Sequence, residues 1–525
     1  MSHRPDPPAP DQAHTTDTSM TDFRAATAAH WRAAFLAGDV TAVELATTAL
    51  TAAAAGSRLG AFLHVDAEAA LARAAEIDAV RGLVLGTGRD RTARLSELSA
   101  HHPLLGLPTA FKDLVDVAGM PTTMGTTALP PRVPGRDDPL ARRVHFAGAV
   151  SVGKTQVPEF GLPCYSENAL AAPSRNPLDP ARISGGSTGG GAAAVAAGML
   201  PLAPGSDGGG SVRIPAAACG LVGLKPGRGR LPDDAASTRV EDLVVSGPIA
   251  ETAEDAALLF DVMAGHRFEV PDRPRGRRAR RREAEAGVVL AQGPAMRAVR
   301  QALDSGLSPL RVGVTTESPF SPDLDIVLDE DAVRALEVGL GRLEALGHAL
   351  QGRSRGGQAG GLTGDLRDRL WPADYHRHFQ ALWTSRLGQA GFTGDQLEQL
   401  APLTRHFVEL SAERPEEETA QARAALQQAS DHAEDVLGNW DVLVTPMLAF
   451  RAPPVGWFAS LDPAEDYIQQ CRFTPYSSVV NVLGLPAVTV PVHTDADGMS
   501  WSVQIIGRHG QEERLLALAA TMQAG

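Results

Sequence analysis

Lysine is almost absent from this sequence. Only Lys112, Lys154 and Lys225 occur among 48 basic residues, and the other 45 are arginines. A GC-rich coding bias accounts for the number, but arginine cannot replace lysine in every role. A buried ammonium can give up its proton, whereas a guanidinium stays charged. All three lysines fall between residues 112 and 225, which marks that stretch for inspection. Cysteine is equally scarce. Cys164, Cys219 and Cys471 are odd in number, widely spaced and without a CxxC pair. They imply no disulfide framework or zinc site, and a reducing cytoplasm is the expected compartment.

Positive charge is in deficit: 48 Lys and Arg stand against 62 Asp and Glu, a net charge of −14. That balance argues against a nucleic-acid groove or an anionic membrane surface as the main partner. Long apolar runs are also missing. The uncharged stretch from Ile183 to Ser206 carries seven glycines and two prolines in 24 residues and is broken by Ser and Thr, so it is not a membrane span. Residues 1–20 are rich in Pro, Asp and Thr and lack an apolar centre. They read as a disordered tail rather than a signal peptide, and Met20 is an alternative start.

What is present is a 525-residue chain, long enough to bury a large core without disulfides or metals, and rich in turns with 53 glycines and 38 prolines. Apolar residues recur at helical steps from Asp22 to about Val80. "LLGLPTAFKDLVDV" predicts a strand running into the loop that carries Lys112, "DPLARRVHFAG" a helix and "AVSVGK" a strand. Glycine loops around one small-residue helix fill 174–230, and a capped helix follows in "ETAEDAALLFDVMAG". The seven arginines of Arg273–Arg282 read as part of a solvated surface insertion over 267–310 rather than a partner patch. A mainly helical region, 311–440, is expected on the substrate side. The chain ends in a strand at "WDVLVTPML", a strand pair and a closing helix. Alternating strands and helices predict an α/β fold with a mixed, mostly parallel sheet flanked by helices, in one domain over 21–525.

Two short matches mislead. "GAVSVGKT" (148–155) fits a phosphate-binding loop, but "AVSV" itself reads as strand, and Pro158 and Gly161 prevent a long helix after it. "GGSTG" (185–189) fits the nucleophile elbow of His-dependent hydrolases, yet "RNPLDPARIS" before it cannot be a regular strand, and no later His sits in an evident motif. A third arrangement joins the pieces. "SDGGGSVRIP" sets Ser211 after three glycines whose N–H groups can face a carbonyl oxygen, "SGGSTGGG" offers Ser187, and "AFKDLVD" places Lys112 among apolar residues, where burial can make it a neutral base. The bland alternative is a set of tight turns with Lys112 paired to Asp113 or Asp116.

In these segments the chain resembles the amidase signature family. The resemblance rests on GGSTGGG, then SDGGGSVRIPAAACGLVGLKP with its serines 24 positions apart, together with "GLPTAFKDLVDVAGMPTT", "GKTQVPEFG", "NPLDPARISGGS" and "NVLGLPAVTVP". It weakens over 1–20, 267–310 and 351–435. It implies a Ser–Ser–Lys triad: Ser211 as nucleophile, Ser187 on a cis peptide as the bridge, and neutral Lys112 as the base. The N–H groups of Gly208, Gly209, Gly210 and Ser211 would form the oxyanion hole. It further implies a small-molecule amide substrate and hydrolysis through an acyl-enzyme, with no cofactor or metal, no nucleic-acid or membrane partner, and a homodimer as the expected assembly.

The chain departs from the pattern at Thr188, at Gly208 and at Ile214, where the tRNA-dependent amidotransferase A subunit usually has Gln. Lys154 and Lys225 lie in the family's "GKT" and "GLKP" turns and read as structural. The last strand region resembles the 6-aminohexanoate cyclic-dimer hydrolases. An amidotransferase subunit, or a non-catalytic scaffold on the same fold, is the alternative. The acyl pocket is expected among residues 311–450 and near Tyr476.

Overall fold

Local signals start the first helices. Thr41 caps Ala42–Ala55 by a reciprocal arrangement in which its hydroxyl accepts from the Glu44 N–H while Glu44 accepts from the Thr41 N–H. Asp66 opens Ala67–Leu85 by accepting from the Ala69 N–H. The computed structural model describes residues 22–85, 91–232, 239–270, 289–351 and 371–525. The tail 1–20 and the cluster Arg273–Arg282 therefore lie outside the described residues.

Eleven strands are described: β1 (Phe62–Val65), β2 (Pro108–Lys112), β3 (Val150–Thr155), β4 (Leu202–Asp207), β5 (Val222–Lys225), β6 (Val245–Ala250), β7 (Arg311–Val314), β8 (Ala349–Gln351), β9 (Val442–Pro446), β10 (Ala487–Thr494) and β11 (Ser500–Gly507). β1, β3 and β2 make one small sheet, and the other eight lie in the order β4-β6-β5-β10-β11-β9-β7-β8. β2 packs beside β4, where the Thr109 hydroxyl donates to the Leu202 carbonyl.

The α/β, mixed-sheet expectation holds, but its mostly parallel character does not. Among the described residues six of the nine strand pairings are antiparallel. The physical reason is strand insertion. β4 and β5 are parallel to each other, as their helical crossover demands, but β6 lies between them and pairs antiparallel with both. At the other end β10 and β11 form a hairpin, in which the Asp495 carboxylate accepts from the N–H groups of Asp497 and Met499.

The sheet separates the core from the site. Along β11, Val503 and Ile505 join the hydrophobic cluster that includes helices Ala253–Met263, Pro294–Ser305, Glu330–Ala345 and Glu512–Ala524. Gln504 and Ile506 face the opposite way, where Gln504 meets Arg213 and Ile506 joins a second cluster. This is the two-residue alternation of a strand buried on both faces.

Two regional boundaries change. Leu290, Ala291, Ala295, Met296 and Val299 are buried in the main cluster, so 289–310 belong to the core rather than to a surface insertion. Within 311–440, β7, helix Glu330–Ala345 and β8 build and cover the main sheet. Among the described residues of this region, Tyr375–Gly388 contributes most to the larger cavity described below, and Phe320 borders the smaller one.

Candidate active site

Lys112 is the last residue of the wholly buried strand β2, which carries its ammonium inside the protein with 1% exposure. Among the described residues no carboxylate is ion-paired with it. Asp113 instead pairs with Lys154 at 2.8 Å and Asp116 with Arg132 at 2.7 Å, which removes the pairing foreseen as the bland alternative. Lys112 Nζ donates to Ser187 Oγ at 2.8 Å and to the Ser206 carbonyl and hydroxyl, each at 3.0 Å. Burial pushes its pKa down to about 7, with the Asp207 charge opposing the shift.

Ser187 follows a cis Gly186–Ser187 peptide and precedes helix Gly189–Ala196. A Cβ on Gly186 would lie 2.7 Å from the Tyr165 amide nitrogen, so only glycine fits there. The Thr188 N–H donates to the Ser211 carbonyl at 3.1 Å and ties the two serine loops together. The Thr188 hydroxyl donates to the Ser206 carbonyl at 3.3 Å, so the departure at this position keeps a useful hydroxyl.

Ser211 lies between β4 and the short helix Arg213–Ala218, in a loop organised by Asp207. The Asp207 carboxylate accepts from the Gly210 N–H at 2.7 Å, the Val212 N–H at 3.1 Å, Arg213 Nε and Nη2 at 2.9 Å each, and Asn481 Nδ2 at 2.9 Å. Burial resists this charge, but Arg213, Lys225 and Asn481 together hold its pKa well below the usual carboxylate range. Arg213, fully buried, also donates to the Ser477 carbonyl, Gln504 Oε1 and Asn481 Oδ1. Ser477 in turn donates to the Gly209 carbonyl at 2.6 Å.

The loop corrects one expected donor. The Gly210 N–H is spent on Asp207, because φ of +125° at Gly210 turns the chain back over that carboxylate. The N–H groups of Gly208, Gly209 and Ser211 have no hydrogen-bond partner among the described residues.

Two cavities meet at Ser211. The larger, about 640 Å³, is bordered by Lys112, Ser187, Ser206, Gly208 and Ser211, with an apolar wall that includes Phe160 and Trp383. The smaller, about 50 Å³, lies against Gly209, Ser211 and Ile214. The sequence profile described as Amidase matches residues 44–516. This chain belongs to the amidase signature family. The putative amidase AmiB2 of Mycobacterium tuberculosis (strain ATCC 25618 / H37Rv) is 33% identical over 422 residues, covering 80% of this chain and 82% of that protein. The A subunit of glutamyl-tRNA(Gln) amidotransferase from Ralstonia nicotianae is 31% identical over 504 residues, covering 93% and 95%. The solved structure of 6-aminohexanoate cyclic dimer hydrolase superposes with a TM-score of 0.75 at 25% identity, over 95% of this chain and 96% of that one. The protein is an amidohydrolase, as its family and its structural neighbours are.

Several residues of this amidase went unassigned in the sequence. Ser206 holds Lys112, Ser477 and Asn481 hold the glycine loop, and Gln504 holds Arg213. Ser206 had a local signal, since it directly precedes the Asp of "SDGGGS". The other three are more than 260 residues from Arg213 and had none. Tyr476 is buried, donates to the Thr316 carbonyl and borders neither cavity, although Thr474 and Ser478 border the smaller one.

Lys154 sits inside β3 and is ion-paired, which leaves no phosphate loop. Lys225 donates to the Pro226 carbonyl at 2.7 Å and borders neither cavity. Among the described residues no group of three or more His, Cys, Asp or Glu could hold a metal ion. No helix among them is long and apolar enough to cross a membrane.

Proposed function

We propose that this amidase hydrolyses the C–N bond of a small or medium carboxamide through an acyl-enzyme on Ser211. The observation that supports the reading is a buried lysine, ion-paired with no carboxylate among the described residues, 2.8 Å from Ser187 Oγ and bordering the cavity that Ser211 also borders. Ser211 Oγ attacks the carbonyl carbon and passes its proton to Ser187, whose own proton goes to Lys112. The oxyanion that forms accepts from the free N–H groups of Gly208, Gly209 and Ser211. When the C–N bond breaks, Lys112 returns the proton through Ser187 to the leaving nitrogen. Water then attacks the ester carbon and passes a proton through Ser187 to Lys112, the ester C–O bond breaks to release the carboxylic acid, and the relay returns that proton to Ser211 Oγ.

The relay needs Lys112 neutral, which sets the pH dependence. With a pKa of about 7, kcat/KM is expected to rise through pH 7 as a one-proton limb and level off above it. A stopped assay from pH 5.5 to 9 checks this, and a flat profile across that range contradicts the assignment of the base.

The amidotransferase alternative rests on the likeness to the Ralstonia protein. Against it stands Ile214 at the smaller cavity, an apolar residue where the amidotransferase A subunit usually has Gln. The isolated chain is expected to hydrolyse N-aryl amides without any partner protein, and to act on glutamine at least roughly a hundredfold more slowly. Glutamine hydrolysis that exceeds anilide hydrolysis reverses the choice.

A further inference from the structure

Lys112 and Ser187 border only the larger of the two cavities, so a leaving nitrogen that takes its proton from them lies on that side of Ser211. The acyl substituent then points the other way, towards the smaller cavity against Gly209 and Ile214. That assignment rests on the acyl-enzyme reading above. Among the described residues Leu162, Ser211 and Trp383 border both cavities.

Trp383 is brought to this boundary by its helix. Tyr375, Phe379 and Trp383 follow at steps of four along Tyr375–Gly388 and so share one face. Phe379 stacks on Tyr375 with ring centroids 5.5 Å apart, and Trp383 stacks on Phe379 at 5.5 Å. The Tyr375 hydroxyl anchors the far end of this ladder by donating to Ser478 Oγ at 2.8 Å. At the near end the outer edge of the indole lies against the glycines that precede Ser211. A Cβ on Gly208 would be 3.4 Å from Trp383 Cη2 and Cζ3, and one on Gly209 would be 3.7 Å from Cη2. Val244 Cγ2 would be closer still to the first, at 3.0 Å. The departure at Gly208 therefore has a local reason, since a larger side chain there needs the space that Val244 and the indole occupy.

The two sides of the indole differ in capacity. The smaller cavity, about 50 Å³, holds three or four water-sized groups, at ~10–15 Å³ each. That is too little for a phenyl ring. The larger, at about 640 Å³ and with Phe160 and Phe392 on its walls, takes a ring-bearing group readily.

We infer that Trp383 is a specificity-determining residue, whose indole is the partition that confines the acyl substituent to the smaller cavity. With the partition in place, good substrates join a short acyl group to a bulkier, largely apolar amine. Without it the smaller space opens into the larger one, and long acyl groups gain access.

The test compares two anilides that share one amine and have carbonyls of like reactivity, propionanilide and 3-phenylpropionanilide. Wild type is expected to favour propionanilide by roughly ten- to hundredfold in kcat/KM. Trp383→Ala is expected to bring that ratio close to one through a rise in kcat/KM for 3-phenylpropionanilide. A tryptophan with a merely structural role would give no such rise, because a loosened helix lowers both substrates together. Trp383→Phe, which can keep the stack on Phe379, is expected to fall between the two. The wild-type pair needs no variant to fold, so it stands by itself. A wild-type ratio near one, or a preference for the longer acyl group, overturns the inference. So does an equal loss on both substrates in Trp383→Ala, or a ratio that neither variant shifts. Should the alanine variant not fold, an unshifted ratio in Trp383→Phe is sufficient to overturn it. Fluorophosphonate labelling of Ser211 separates the two levels. Labelling with the wrong acyl preference removes the partition alone, whereas no labelling and no amide hydrolysis remove the acyl-enzyme reading and the partition with it.

Discussion

Ser211→Ala is expected to lower kcat by about 10³-fold or more and to abolish covalent labelling by a fluorophosphonate, with the fold intact. The fold should survive because alanine keeps the Ser211 carbonyl that accepts from the Thr188 N–H, and removes only a hydroxyl at a cavity wall. Ser187→Ala and Lys112→Met are expected to show losses of similar size. The losses should not multiply in the double variants if, as proposed, the three groups act as one relay. Hydrolysis of an anilide and intact-mass detection of the adduct read the result. Persistent labelling of Ser211→Ala would place the nucleophile elsewhere.

Lys112→Met carries a second signature, in stability. In the folded chain Lys112 loses its proton near pH 7, against about 10.4 for an unburied lysine. Between those values the unfolded chain binds more protons, so this site makes the wild type more stable as pH rises from 7 towards 10. Below pH 7 the folded protein must bury a charged ammonium. Lys112→Met should therefore gain most in melting temperature near pH 6, and its advantage should shrink by pH 9. A constant difference across that range would mean the lysine does not titrate inside.

The second large effect is structural. Arg213→Leu is expected to cost about 3–5 kcal/mol, because it leaves the Asp207 carboxylate buried with its main counter-charge removed. The damage should extend to catalysis. Asp207 holds the Gly210 and Val212 N–H groups, so a displaced carboxylate loosens the loop on both sides of Ser211. Asp207→Asn combined with Arg213→Leu should recover part of the stability, since no unpaired charge remains, but not the activity. Urea titrations of the wild type and the two variants test this. Equal destabilisation in the single and double variants would show that packing, not charge, sets the cost. The sign of the pH dependence also follows. The contribution of the pair is present above the ordinary carboxylate range near 4, and fades only as strong acid protonates Asp207.

Much of the site was legible because its pieces are local. Ser187 and Ser211 stand in glycine runs, and the short strand before Lys112 could be read from its apolar residues. Gly210 shows the limit of that reading. A glycine next to a nucleophile suggests an oxyanion donor, but its φ and the position of the Asp207 carboxylate decide where its N–H points. The sheet shows the same limit on a larger scale. Alternating strands and helices imply crossovers and hence parallel neighbours, while the order in which strands pair is a long-range choice.

The scarcity of lysine has the same two sides. By itself the sequence displayed the motifs that carry the likeness to α/β amide hydrolases, and it singled out residues 112 to 225 and three side chains there as candidates for a relay. Those conclusions depend on residue type and short spacing, which a linear chain displays. Only the tertiary structure decided that Lys112 is ion-paired with no carboxylate among the described residues while Lys154 takes Asp113, that Asn481 and Gln504 hold Arg213, and that a small cavity lies beside Ser211. These depend on which distant segments become neighbours and which of them exclude water. Burial and pairing set whether a charge persists, and neither is a property of the residue alone.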